Sequence, residues 1–122
     1  MTFARQRTGQ VGEDLACSYL TSKGYTLINT NYRCVFGEID IIAKHEGKIH
    51  FVEVKTRHSL KKGQPYEAVN FFKRRHLAKA AQFYVLQNKL KHYRLSIDVI
   101  SILIENDKVS DLKHFQGIDV SH

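Results

Sequence analysis

Asp40, Glu53 and Lys55 are the residues of this 122-residue chain whose types and spacing suit chemistry on a phosphate. They lie in the stretch Gly37–Arg57, which reads GEIDIIAKHEGKIHFVEVKTR. Two apolar, β-branched runs, Ile39–Ala43 and Ile49–Val54, flank a polar break at Glu46–Gly47, the pattern of a β-hairpin. Side chains alternate faces along a strand, so Glu38, Asp40 and Ile42 share one face and Phe51, Glu53 and Lys55 another. If the hairpin pairs those faces, Asp40 comes close to Glu53 and Lys55, because opposed Cβ atoms lie about 5 Å apart. Like charges among Ile, Val and Phe repel one another, and removing an ion from water is costly. A divalent cation resolves the conflict. Mg²⁺ takes oxygen ligands, commonly one or two carboxylates with water and phosphate. The same alternation also suits a hairpin whose polar face meets water, where Glu53–Lys55 would be a surface ion pair worth about 0–1 kcal/mol.

The charge balance adds a second indication. Nineteen Lys and Arg against twelve Asp and Glu leave a net charge of +7, which favours a polyanionic partner such as nucleic acid. Acidic residues inside a basic chain suit a metal site on a phosphate-binding surface. Solubility alone is the other reading of the excess charge. No apolar run approaches the length of a membrane span, and no apolar stretch follows the N-terminal arginines, so neither a span nor a signal peptide is expected. Cys17 and Cys34 fit neither a zinc set nor a disulfide framework; they read as buried, reduced thiols, which points to the cytoplasm.

The positioning elements follow from periodicity. Residues 1–8 are polar and read as mobile. A helix is predicted from Thr8 or Gly9 to about Lys23, with Val11, Leu15 and Tyr19 as its stripe and Gly24 as its stop. Glu13 lies beside a second apolar edge formed by Ala16, Cys17 and Leu20; placed in the first turn, it would suit the helix dipole. Tyr25–Asn31 reads as a strand that bends through Arg33 toward the hairpin. After Arg57 a basic loop carries Lys61, Lys62, Gly63 and Pro65, suited either to a nucleic-acid backbone or simply to water. Asn70 is a good N-cap for a helix lasting to about Asn88, with Phe72, Leu77, Ala80, Ala81 and Tyr84 on its buried side. Lys73, Arg74 and Arg75 crowd its first turn against the dipole, which phosphate binding or a solvated basic face would explain. Tyr93–Ile104 is the most apolar run and reads as a central strand. Asp98 interrupts it, either as a site residue or as a carboxylate satisfied by an Arg or a backbone N–H. Asn106–Asp107 marks a turn, after which one short strand and a loose tail are expected. The whole reads as one α/β domain over residues 1–122.

The order helix, three strands, helix, strand, with acids on the second and third strands, looks like the PD-(D/E)XK, restriction-endonuclease-like core. The motifs Gly9-Gln10-Val11-Gly12-Glu13, Asn31-Tyr32-Arg33, Gly37-Glu38-Ile39-Asp40, Phe51-Val52-Glu53-Val54-Lys55-Thr56-Arg57, Gly63-Gln64-Pro65 and Lys73 together resemble the YraN, or UPF0102, family over about residues 8–105. That family is described as predicted endonucleases, distantly similar to archaeal Holliday junction resolvases. The resemblance implies a mixed sheet flanked by helices and metal-dependent hydrolysis of DNA phosphodiesters, with branched or single-stranded substrates in repair or recombination. It implies Asp40, Glu53 and Lys55 as catalytic residues. Asp40 and Glu53, with Glu13 and the Val54 carbonyl, would hold Mg²⁺ or Mn²⁺. Arg33, Arg57, Lys61, Lys62, Lys73, Arg74 and Arg75 would hold nucleic acid. A non-catalytic nucleic-acid-binding module of the same fold is the alternative, and an adaptor using the basic face for a protein partner a third. One copy covers little duplex, which leaves room for a homodimer or a protein partner.

Overall fold

The computed structural model describes residues 2–61 and 63–118, with side chains from residue 9 onward except those of residues 71 and 72. Helix α1 spans Thr2–Ser22, followed by strands β1 (Thr26–Cys34), β2 (Gly37–His45) and β3 (Lys48–Arg57). A single 3-10 turn at Pro65–Ala68 precedes helix α2 (Phe71–Gln87), and strands β4 (Arg94–Glu105) and β5 (Lys108–Phe115) complete the chain. The five strands lie in the sheet in sequence order. Every neighbouring pair is antiparallel except β3 and β4, which run parallel because α2 carries the chain back across the sheet. The result is the α/β architecture expected from the sequence, a mixed sheet with helices packed on it.

Each face of the sheet has its own apolar cluster. On the α1 side Ala16 and Leu20 pack against Ile41, Ala43, Val52, Ile100 and Ile102. On the α2 side Leu77, Ala80, Ala81 and Tyr84 pack against Ile42, Ile49 and Phe51. Ile39 also packs on the α2 side, out of step with Ile41, so the alternation of β2 breaks at Asp40.

Several expectations need correction. Helix α1 begins at Thr2, because TFARQRT contains no helix breaker and Gly9 is tolerated within a helix at about 1 kcal/mol. Glu13 therefore lies mid-helix, and the dipole does not hold it there. The buried stripe of α1 is Gly12, Ala16 and Leu20; Val11 is exposed. Spacing of four describes both stripes, and small side chains win here because the helix lies close on β3. A Cβ at Gly12 would collide with the Thr56 hydroxyl. The two cysteines are free but half-buried rather than enclosed. Burial raises the Cys17 thiol, and Asp14 and Glu13 push it further up.

Candidate active site

The β2–β3 turn falls where the polar break places it. His45 pairs with Lys48, and Glu46 and Gly47 both adopt positive φ, 49° and 78°. From that turn the ladder runs to Ile41 opposite Val52 and stops. The next pair in register would be Asp40 opposite Glu53. Instead of continuing the ladder, the Asp40 carboxylate accepts the Val54 amide at 2.8 Å. Asp40 and Glu53 thus lie near each other where β2 and β3 part, at the point where the alternation of β2 breaks.

Glu53 is 4% exposed and has two cations against it. Lys55 Nζ lies 3.5 Å and Lys73 Nζ 3.1 Å from its Oε1. The Asn70 side chain accepts the Lys73 amide at 3.0 Å, so the expected N-cap also fixes the first turn of α2 above Glu53. Lys73 is anchored to the site's carboxylate rather than standing out on a basic face. Burial alone would lower the Lys73 ammonium, but Glu53 outweighs it and raises the group. Lys55 goes the other way. Burial lowers it and Lys73 adds to the fall, against the pull of Glu53.

Asp40 shows the strain of the arrangement most clearly. Burial first, then the Glu53 charge, push its carboxyl from 3.8 up to about 7, against the stabilising Val54 amide. Glu13 reaches toward the same place from α1. With its amide nitrogen turned to the carboxylates, Asn31 donates to the Glu13 oxygens at 3.2 and 3.3 Å and to Glu38 at 3.3 Å. Burial raises Glu13, Asn31 pulls it down, and the charges of Glu38, Asp14 and Glu53 raise it further.

Gly9, Glu13, Asp40, Glu53, Val54, Lys55, Thr56, Arg57, His58 and Lys73 line one open cavity of about 720 Å³. A smaller hollow of about 200 Å³ adjoins it, sharing Asp40, Glu53 and Lys73 and adding Gly37, Glu38, His76 and Leu77. The remaining cationic candidates lie elsewhere. Arg33 is 80% exposed and sits 3.7 Å from Glu38, at the edge of the sheet. Lys61 is exposed in the loop after β3, Arg74 is half-buried and Arg75 exposed, and Lys62 lies outside the described residues.

Two groups carry more weight than the sequence suggested. Asn31 holds Glu13 and Glu38 apart from a backbone at φ 53°, a left-handed value that Asn tolerates better than most residues. Its place in the Asn31-Tyr32-Arg33 motif was the only hint. Asp98, on β4 opposite Val52, is fully buried and accepts from four donors. His50 lies at 2.7 Å, His114 at 2.8 Å, the Ser96 hydroxyl at 2.6 Å and the Gly117 amide at 3.2 Å. Burial alone would raise Asp98; the bonds from His114, His50 and Ser96 outweigh it and hold the carboxyl well below its usual range. Asp98 is therefore satisfied by two histidines, a serine and a backbone N–H, with no arginine among these partners, and it lies outside the cavity.

A family model described as "Uncharacterised protein family UPF0102" matches residues 12–102. The chain belongs to the UPF0102 family. A UPF0102 protein of Caldicellulosiruptor bescii is 46% identical over 101 residues, 82% of this chain and 85% of its own length. UPF0102 proteins of Caldanaerobacter subterraneus and Clostridium acetobutylicum are each 41% identical, covering 87% and 92% of this chain and 87% and 93% of theirs. The matched segment contains Glu13, Asp40, Glu53, Lys55 and Lys73, and with them every side chain so far placed around the Asp40–Glu53 pair. No helix among the described residues is long and apolar enough to cross a membrane.

Proposed function

We propose that this UPF0102 protein is a metal-dependent endonuclease that hydrolyses phosphodiester bonds in DNA, with branched or single-stranded structures as its substrates. The observation that carries this reading is the Asp40–Glu53 pair, two acids held together in an open cavity with Lys55 and Lys73 beside them. A pair kept only for stability would be better replaced by apolar residues, since neighbouring like charges work against folding. Among the described residues no three His, Cys, Asp or Glu side chains close into a ready-made ligand set. The two carboxylates that are present, Asp40 and Glu53, suit Mg²⁺ or Mn²⁺, which keep several waters and need only one or two carboxylates.

Asp40 and Glu53 would hold the cation, with the Val54 carbonyl and Glu13 as further oxygen donors. When bound, such an ion supplies a more acidic water and neutralises charge on the phosphate. Lys55, whose ammonium is already desolvated, stabilises negative charge developing on the phosphate oxygens. Lys73 and Arg57, on the same cavity wall, hold the flanking backbone. Asn31 keeps Glu13 in place without adding charge.

The reading is tested by incubating the protein with labelled duplex, nicked, flapped, four-way and single-stranded DNA, with Mn²⁺ or with chelator. Scission that requires the cation is the expected result. Salt-sensitive binding without scission under any condition would leave a non-catalytic binding module, and the absence of both would remove nucleic acid from the account.

A further inference from the structure

Three hairpins of the sheet close through two-residue turns, and one departs from the rule that the other two obey. Glu46–Gly47 has φ of 49° and 78°, and Asn106–Asp107 has 51° and 59°. These left-handed pairs match the twist of the flanking strands. Between β1 and β2, Cys34 pairs with Gly37, and the central residues are Val35 and Phe36. Neither has positive φ; the left-handed value, 134°, falls on Gly37. A β-branched and an aromatic residue are poor turn formers, and here they are also left in water, Val35 85% exposed and Phe36 39%. A local rule broken beside a site invites a functional cause.

This tip is braced from behind. The Phe36 ring lies 5.9 Å from that of Phe83 on α2. Tyr32 packs edge-on to Tyr84 at 5.0 Å and donates its hydroxyl to Gln87 at 2.9 Å. The apolar tip is thus fixed to α2, the helix whose first turn places Lys73 on Glu53. The residues that follow it, Gly37 and Glu38, line the hollow shared with Asp40 and Glu53.

We infer that Val35 and Phe36 form a wedge that packs against an unstacked nucleobase beside the phosphate bound in the cavity of Asp40, Glu53, Lys55 and Lys73, and so select DNA with an unpaired or displaced base near the scissile bond. The inference rests on the nuclease reading above. Phosphates offer an apolar tip nothing, whereas an exposed base offers a flat π-face. In regular duplex the wedge must first unstack a base step; at a bulge or branch point that cost is already met by the DNA. The +7 charge draws in any backbone, and the tip discriminates among them.

The test is fluorescence anisotropy, in chelator, of wild type, Val35→Ser and Val35→Ser/Phe36→Ser with a plain duplex and the same duplex carrying one bulged base. Wild type should prefer the bulged DNA by about ten-fold, and the double variant should bind both within about two-fold with duplex affinity unchanged. Val35→Ser, at a position so exposed that folding cannot depend on it, should fall between. A wild type without preference, or a double variant that keeps it, overturns the wedge while leaving the nuclease reading standing. A wild type that neither binds these DNAs nor cleaves them with Mn²⁺ ends both. Sedimentation of the same proteins supplies a further arm. A wild-type dimer that the double variant dissociates assigns the tip to a second copy and overturns the wedge.

Discussion

Asp40→Asn separates the electrostatic cost of the site from its architecture. The amide oxygen of Asn can still accept the Val54 N–H, so the point where β2 and β3 part is preserved. What changes is the proton. A carboxyl raised from 3.8 to about 7 keeps its proton in the folded chain across a pH range where the unfolded chain has lost it. Stability therefore falls as pH rises from about 4 to about 7, and the deficit stays constant above that. At full effect the rise corresponds to about 4 kcal/mol. The cavity is open to water, and screening reduces the expected figure to on the order of 1–2 kcal/mol. At pH 8 in chelator, Asp40→Asn should be more stable than wild type by that amount, or about 4–8 °C in Tm. At pH 5 the two should melt within about 2 °C of each other. Because every other titrating group is common to both proteins, the difference curve reports Asp40 together with its coupling to Glu53. Mg²⁺ or Mn²⁺ should then raise the Tm of wild type at pH 8 and leave the variant almost unmoved. Parallel pH profiles, or a variant less stable at pH 8, would refute the crowding of Asp40 and Glu53 that underlies the account.

Lys55→Ala should abolish scission while cation binding survives or strengthens, read as the Mn²⁺-dependent rise in Tm beside a cleavage assay, because a cation next to Glu53 has gone. Asp98→Ala should lose about 3–5 kcal/mol in urea unfolding, since it strands two buried histidines. The wild type should also lose stability as pH falls below about 4, where the unfolded chain takes up a proton that the folded Asp98 carboxylate, held low, does not, and the variant should lack that contribution. Gly12→Ala should destabilise by about 1–3 kcal/mol by forcing α1 off Thr56, and Thr56→Ala added to it should restore most of the loss in thermal melts.

Much of the site was legible because it is local. Twelve residues lie between Asp40 and Glu53, and a single tight turn with Gly47 fixes the register that brings them near each other, although the alternation of β2 breaks at Asp40. Asn70 announced the helix that carries Lys73, but nothing in the sequence says that its first cation reaches back to Glu53. That contact depends on how α2 crosses the sheet. Of the expected α1 stripe, Leu15 and Tyr19 pack partly buried against the core, but close packing on β3 selects Gly12, Ala16 and Leu20 for full burial and leaves Val11 exposed. The Asp98 cluster was the least legible. His50 and Asp98 meet only through the parallel pairing of β3 with β4, and His114 joins them from β5, in the part of the chain that the family motifs do not reach. Asp98 could be recognised as anomalous in an apolar strand, but its partners are set by a crossover and a second hairpin rather than by spacing.

The measurement that bears most directly on the central claim is the single-turnover cleavage rate of Glu53→Gln beside wild type, on a branched DNA in Mn²⁺, with binding measured on the same substrate. Glu53→Gln keeps the shape of the buried side chain and relieves its repulsion with Asp40, so the domain should fold. If Glu53 is an anionic ligand of a catalytic cation, the rate should fall by about 10³-fold or more while DNA affinity changes by less than about three-fold. Equal cleavage by both proteins would contradict the account, as would an activity that falls only in step with folded protein.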